Sequence, residues 1–291
     1  MTRHHIKKTD AELIFDNDLV YKIFTTDIVD QQVLDDLLRL DKLANKNPHF
    51  LGIKDVFETP FNETGIPKNS KVLVMRYLRN ENSLTKLADG EKLSEENMKE
   101  LGSILFNFHQ ESDINDVTLA QNYLISRFNK DLSLVEAVVQ KDAKILGIHR
   151  HLRKLLEENK QLLKHRIIDN LLVEGHGDLN LDHIYLEDGV FCFIDFSHKK
   201  KYRTDCPTRD LAGIVLHLIE KNIMNLAKPM IDTYTELSND ENIQVLTKMQ
   251  VAKKFLVKFF IYSGGFAPEH YEQNQVNLCL NSVERVKEYI S

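Results

Sequence analysis

The stretch Val173–Asp195, VEGHGDLNLDHIYLEDGVFCFID, restricts the fold more than any other part of the chain. A short apolar segment and a glycine lead into His176, Asp178, Asn180, Asp182 and His183, all within eight residues. Two runs with strand character follow, His183–Leu186 and Val190–Ile194, separated by Glu187-Asp188-Gly189. Asp-Gly between β-branched and aromatic runs is a strong hairpin signal, because the tight turn needs positive φ at its central residues. The hairpin carries a polar cluster at its start and Asp195 at its exit, so acidic side chains from its two ends can lie close. Such a pair suits Mg²⁺-dependent phosphoryl transfer, with one carboxylate near the incoming hydroxyl and the other on the metal. A solvated turn of polar residues is the plainer reading of the same stretch.

A chain of 291 residues suffices for one large domain or for two lobes. At 42% hydrophobic and 28% charged residues it is an ordinary globular composition. The net charge of -6 argues against nucleic acid as the main partner. Cys192, Cys206 and Cys279 are widely spaced and odd in number, which gives neither a disulfide framework nor a zinc pattern. The first residues, MTRHHIKKTDAE, are polar and show no signal-peptide pattern. No apolar run approaches the roughly 18 residues that span a membrane, so the cytoplasm is the expected location.

Glu12–Phe15 and Leu19–Phe24 flank Asp16-Asn17-Asp18 and read as a hairpin. Lys22 alternates with apolar neighbours and shares a face with Val20; a solvated edge lysine has the same pattern. Asp30–Asn45 reads as a helix with Val33, Leu34, Leu37, Leu38 and Leu40 as its apolar stripe. Phe50–Glu58 and Val72–Leu78 are strand candidates around a Pro-, Gly- and Asn-rich loop. From Ser94 the chain turns helical, over Glu95–Gln110, Asn122–Val139 and Ile145–Leu163. The last of these is rich in Lys, Arg and His. After the central hairpin, SHKKKYRT (Ser197–Thr204) reads as a basic loop, either lining an anionic substrate's approach or simply solvated. Asp205 to Ala212 carries helix-start signals. Asn225–Leu237, Glu241–Ser263 and Pro268–Tyr289 complete a helical C-terminal half. Neither G-x-G-x-x-G nor G-x-x-x-x-G-K-[ST] occurs.

His176-Gly177-Asp178 followed by Ile194-Asp195-Phe196 resembles the catalytic and metal-binding segments of the aminoglycoside phosphotransferase and choline kinase-like superfamily. The pattern there is H-G-D-x-x-x-x-N and then I-D; protein kinases carry H-R-D-x-x-x-x-N and D-F-G. Tyr21-Lys22 at the end of an early hairpin is similar to a bacterial branch of the aminoglycoside phosphotransferase family. The resemblance implies an α+β, bilobal protein-kinase-like fold. Residues 1–78 would form a small β-rich nucleotide-binding lobe, and residues 79–291 a larger, mostly helical lobe with the catalytic loop and metal site.

Carried over residue by residue, the resemblance makes Asp178, preceded by His176, the catalytic carboxylate and Asp195 the Mg²⁺ ligand. His183 stands where the family has a metal-binding Asn. Imidazole nitrogen is a poorer Mg²⁺ ligand than oxygen, so Asn180 or Asp182 substitutes or the second metal site is weakened. Lys22 would contact nucleotide phosphates and pair with an acidic residue of the following helix, where Asp36 is chosen over Asp35 and Asp41. Met75, Arg76, Tyr77 and Leu78 would present backbone groups to the adenine, Lys7–Ala11 would be the phosphate-covering loop, and Asp210 of Asp210-Leu211-Ala212 would buttress the catalytic loop. His109 is expected to be structural or solvated. The implied activity is transfer of the γ-phosphoryl group of ATP or GTP, with Mg²⁺, to a hydroxyl of a small molecule. Three other readings stand beside it: a nucleotide-binding pseudokinase, a nucleotidyl transferase on the same scaffold, and a small-ligand regulator without nucleotide.

Overall fold

The computed structural model describes residues 4–7, 11–24, 31–55, 71–112, 124–140 and 142–265 together with 271–291. The expected phosphate-covering loop falls largely outside these residues, as does the linker between the strand candidates at 50 and 72. The chain divides into two compact units: Met1–Gly90 with Asp182–Lys199, and Glu91–Leu181 with Lys200–Ser291.

The first unit is built on a five-stranded antiparallel sheet of β1 (His4–Lys7), β2 (Ala11–Asp16), β3 (Leu19–Phe24), β4 (Phe50–Asp55) and β5 (Lys71–Arg76), in the order β1-β2-β3-β5-β4. The β2–β3 turn forms because Asn17 accepts a φ of 55° that most residues avoid. Ile14, Tyr21, Ile23, Val72 and Val74 make one apolar face. By strand alternation Val20, Lys22, Leu73 and Met75 lie on the other. Helix α1 (Gln31–Ala44) forms where Leu34, Leu37, Leu40 and Ala44 recur at helical spacing, and all four are buried.

The single cut expected at residue 78 differs from the observed division. Residues 79–90 and the hairpin Ile184–Glu187/Val190–Phe193 pack with the sheet. Three ties hold the hairpin there. The Arg79 N–H and guanidinium donate to the two Glu187 carboxylate oxygens at 3.0 and 3.1 Å. Ser83 bridges Tyr185. Asn45 Nδ2 donates to Phe193 O at 2.9 Å while its Oδ1 accepts from Phe193 N at 2.6 Å. The turn itself has Asp188 at φ 50° and Gly189 at φ 78°, as the Asp-Gly pair demands.

The second unit is helical: Glu95–Glu111, Leu124–Val139, Ala143–Glu158, Lys160–Ile168, Thr208–Glu220, Ala227–Ser238, Ile243–Tyr262 and Gln273–Ile290, with a short Lys200–Arg203 turn. Ser94 and Asn97 close a capping box at the first of these. The long helix expected over Ile145–Leu163 is two helices, because the Asn159 side chain turns back onto Leu155 O at 2.9 Å and ends the first. The basic segment expected as a loop contains the Lys200–Arg203 turn and a two-residue strand, Thr204–Asp205, paired with Val173–Glu174. Thr208–Glu220 is buried over ten of its residues and forms the centre of the unit. All three cysteines are buried free thiols. Among the described residues no helix is long and apolar enough to cross a membrane.

Candidate active site

In the second unit the segment from Gly175 to Asn180 is held from below by Asp210. Oδ2 of that carboxylate accepts from His176 N at 2.6 Å, and Oδ1 from Gly177 N at 3.1 Å. His109 Nε2 lies 3.3 Å from Asp210 Oδ2, and Tyr234 OH lies 2.9 Å from His109 Nδ1. His109 thus donates from Nε2 to Asp210, while its Nδ1 hydrogen-bonds the Tyr234 hydroxyl. Burial pushes the Asp210 carboxyl up, but the His109 hydrogen bond, the two histidines and the His176 N–H hold it well below the ordinary 3.8. A side chain at Gly175 would put its Cβ 2.3 Å from Asp210 Oδ2, so only glycine admits this carboxylate under the loop. Gly177 takes φ 86°, a conformation open to glycine.

This support leaves Asp178 exposed at the end of the loop. Its N–H faces His176 Nδ1 at 3.3 Å, which makes Nδ1 the acceptor. Asn180 Nδ2 reaches Asp178 O at 3.3 Å, and Arg209 Nε donates to Gly177 O at 3.2 Å. The start of the segment is fixed by a buried ion pair, Arg203 Nη2 to Glu174 Oε1 at 2.9 Å, and by Gly175 N to Arg203 O at 2.9 Å.

In the first unit the structure brings Lys22 and Asp195 together, Nζ to Oδ1 at 2.5 Å, with side chains 14% and 32% exposed. Asp195 takes φ 60°, in the left-handed region, just past the end of the hairpin. His183 Nε2 lies 3.9 Å from Asp195 Oδ2. Asp182 is exposed beside it in the turn Leu181–His183. Among the described residues no three His, Cys, Asp or Glu side chains gather as a metal-holding group. One carboxylate oxygen of Asp195 fits the hard, oxygen-seeking Mg²⁺, which takes few protein ligands and completes its shell with water and phosphate.

Asp36 is half-buried on α1, whereas Asp41 is fully buried. Asp41 binds chain rather than lysine: it accepts from Asn45 Nδ2, His49 N and Phe50 N at 2.7, 3.1 and 2.9 Å. Burial raises its carboxyl to about 6. His49, buried next to Arg76, is pushed down to about 3, chiefly by burial. Met75 and Arg76 end β5. The N–H groups of Arg76, Tyr77 and Arg79 donate to His49 O, Asp18 O and Glu187 Oε1. Among the described residues that leaves the Leu78 N–H as the one in this segment without a protein acceptor.

Sequence reasoning did not single out Asn45 and Tyr234, set aside Asp41 and passed over His109 as structural or solvated. The Asp41–Asn45 spacing of one helical turn was the available signal for that pair. Nothing local marks His109 and Tyr234 as partners, since they lie 125 residues apart.

No protein-family model matches the sequence, and no curated protein matches it. Solved structures do. A choline/ethanolamine kinase family protein from Mesorhizobium loti is similar with a TM-score of 0.62 at 12% identity, covering 100% of this chain and 91% of that one. The spectinomycin phosphotransferase APH(9)-Ia, in complex with ADP and spectinomycin, gives 0.56 at 14%, covering 99% and 89%. A glucosamine kinase in complex with glucosamine, ADP and inorganic phosphate gives 0.57 at 13%, covering 98% and 76%. The chain has their fold, the bilobal protein-kinase-like fold, with a small antiparallel sheet and a larger helical part.

Proposed function

We propose that the protein is a phosphotransferase that moves the γ-phosphoryl group of ATP or GTP to a hydroxyl of a small molecule. The observation that carries this reading is the Lys22–Asp195 pair, an ammonium and a carboxylate brought to 2.5 Å from positions 173 residues apart. A phosphate-binding cation beside a metal-binding anion is what phosphoryl transfer requires of a protein, since catalysis there is positioning and charge neutralisation. The shared fold supports the same chemistry.

In this reading Lys22 neutralises phosphate charge, with Asp36 as its helix partner. Asp195 would hold Mg²⁺, with His183, Asn180 or Asp182 as further donors; when bound, the ion spreads the charge of the transferred group. The Leu78 N–H, with the backbone of Met75, Arg76 and Tyr77, meets the adenine. In this reading the unit of Met1–Gly90 with Asp182–Lys199 would serve the nucleotide and its metal, and the unit of Glu91–Leu181 with Lys200–Ser291 the acceptor and catalytic loop. Asp178 orients the acceptor hydroxyl and takes its proton. His176 fixes Asp178 through the backbone, and Asp210 keeps both N–H groups of the loop in place. The expected setting is the cytoplasm.

His183 favours one second reading, a protein that binds nucleotide without transferring phosphate, because a nitrogen donor weakens Mg²⁺. The test is to supply Mg·ATP with a pool of hydroxyl acceptors and follow the products. ADP and a phosphorylated acceptor support transfer. Pyrophosphate supports nucleotidyl transfer, binding without product supports the pseudokinase, and no nucleotide binding leaves the small-ligand regulator.

A further inference from the structure

Beside the catalytic loop, the second unit gathers Arg127, Arg209 and Lys253 around one deeply buried carboxylate. Asp205, with its side chain 3% exposed, is the centre. Its Oδ2 lies 3.4 Å from both Arg127 Nη1 and Arg209 Nη1. Its Oδ1 accepts from Cys206 N at 2.7 Å and Gln250 Nε2 at 3.3 Å. Burial pushes the Asp205 carboxyl up, and the charges of Lys253, Arg209 and Arg127 more than reverse it, holding it below the ordinary value. Asp205 therefore faces three cations, with Asp131 as the second carboxylate at the Lys253 end.

Lys253 is the least satisfied of them. Its side chain is 3% exposed and Nζ has no hydrogen-bond partner. Nζ stands 4.1 Å from the centre of the Phe128 ring and 3.9 Å from Asp131, a carboxylate one-quarter exposed. Gln250 Oε1, one turn before it, also lacks a partner. A buried ammonium without hydrogen bonds is costly, and an anion close enough to accept from it lowers the cost. Burial accordingly pushes Lys253 down to about 7.

The cations lead from this buried end to the catalytic loop. Arg209 donates to Gly177 O, the residue before Asp178. Lys254, pushed down to about 8 by burial and Arg209, feels the carboxylates of Asp178 and Asp210. A Cβ at Gly213 would come 3.2 Å from its Nζ. On the other side Arg127 donates to Lys201 O at 3.0 Å and lies over the half-exposed Tyr202 ring at 5.0 Å.

We propose that Arg127, Arg209 and Lys253 receive an anionic group, phosphate or carboxylate, carried by the same acceptor whose hydroxyl meets Asp178. Guanidinium forks suit either oxyanion. The proposal rests on the phosphotransferase reading and narrows its acceptor to hydroxylated anions.

The test is calorimetric titration of the full chain carrying Lys22→Ala, so that the phosphate contact assigned to the nucleotide is removed. The probes are glycerol phosphate, glycerate, neutral glycerol and cationic choline. The expected result is one site per chain for glycerol phosphate or glycerate, the better of the two identifying the anion, and none for glycerol or choline. Arg127→Gln and Lys253→Met should each weaken that binding about ten-fold or more, about 1.4 kcal/mol. Lys144→Gln, on an exposed side chain of another helix, should leave it unchanged. Methionine keeps the stem packed on Phe128, so Lys253→Met serves if Arg127→Gln fails to fold. No binding of either anion, or equal binding by both variants with native melting curves, overturns the proposal. Turnover of Mg·ATP by the unmutated protein with only neutral or cationic acceptors overturns the subsite and leaves phosphotransfer standing. Anion binding that the variants lose, in a protein without nucleotide turnover, does the reverse.

Discussion

Lys22 and Asp195 meet as an ion pair, Nζ to Oδ1 at 2.5 Å, although one sits mid-strand in the second hairpin of the sheet and the other just past the end of a hairpin 173 residues later. Both side chains are only partly covered. In the proposed phosphotransferase a bound nucleotide would share this pair, its phosphates competing for the ammonium and its metal for the carboxylate. Lys22→Ala should therefore weaken Mg·ATP binding about ten-fold or more with the melting temperature nearly unchanged. Calorimetry checks it, and unchanged affinity would return Lys22 to the role of an edge lysine.

Asp210→Ala should damage stability and activity together. It orphans the buried N–H groups of His176 and Gly177, at about 1–3 kcal/mol for each unmet group. The native carboxyl titrates below its unfolded value of 3.8. Its contribution to stability is therefore complete above about pH 4 and is lost as pH falls further, through the folded value. Acid unfolding of the wild type should steepen below pH 4, and Asp210→Asn should flatten that limb. Identical acid limbs in the two proteins would remove the buttress.

Asn45→Ala should cost a similar amount, because it strips both the N–H and the C=O of Phe193 of their partner. Phe193 lies two residues before Asp195, so nucleotide affinity should fall as well. Loss of stability with unaltered affinity would make Asn45 a purely structural residue.

His183→Asn replaces a nitrogen donor 3.9 Å from Asp195 by an amide oxygen. Mg²⁺-dependent nucleotide binding should hold or tighten, since oxygen suits the ion better. Loss of activity in His183→Asn would mean that the imidazole has chemistry of its own.

The parts of this molecule written in local chemistry were legible from the sequence. Asp188-Gly189 specifies its turn alone, and the Leu34–Leu37–Leu40 stripe specifies α1. The segment His176–His183 stands out because its polar residues are crowded into a few positions, and Asp195 because it ends an apolar run. What stayed hidden depends on distant partners. Asp41 looks like any helix carboxylate until the chain at His49 and Phe50 folds back on it. Lys253 sits in a helix buried along most of its length, where a lysine reads as an exposed residue until its neighbours are known. Asn159 breaks a helix through its own side chain, a choice that periodicity does not reveal.

The measurement closest to the central claim is phosphorus NMR of Mg·ATP with an acceptor pool, run on wild type, Asp178→Asn and Asp195→Asn, with nucleotide affinities measured alongside. Phosphotransfer predicts ADP and a new phosphate ester from the wild type. It predicts a loss of about 100-fold or more in rate for Asp178→Asn at nearly unchanged Mg·ATP affinity, and weakened metal-dependent binding for Asp195→Asn. Pyrophosphate in place of ADP, or wild-type turnover by Asp178→Asn, would contradict it.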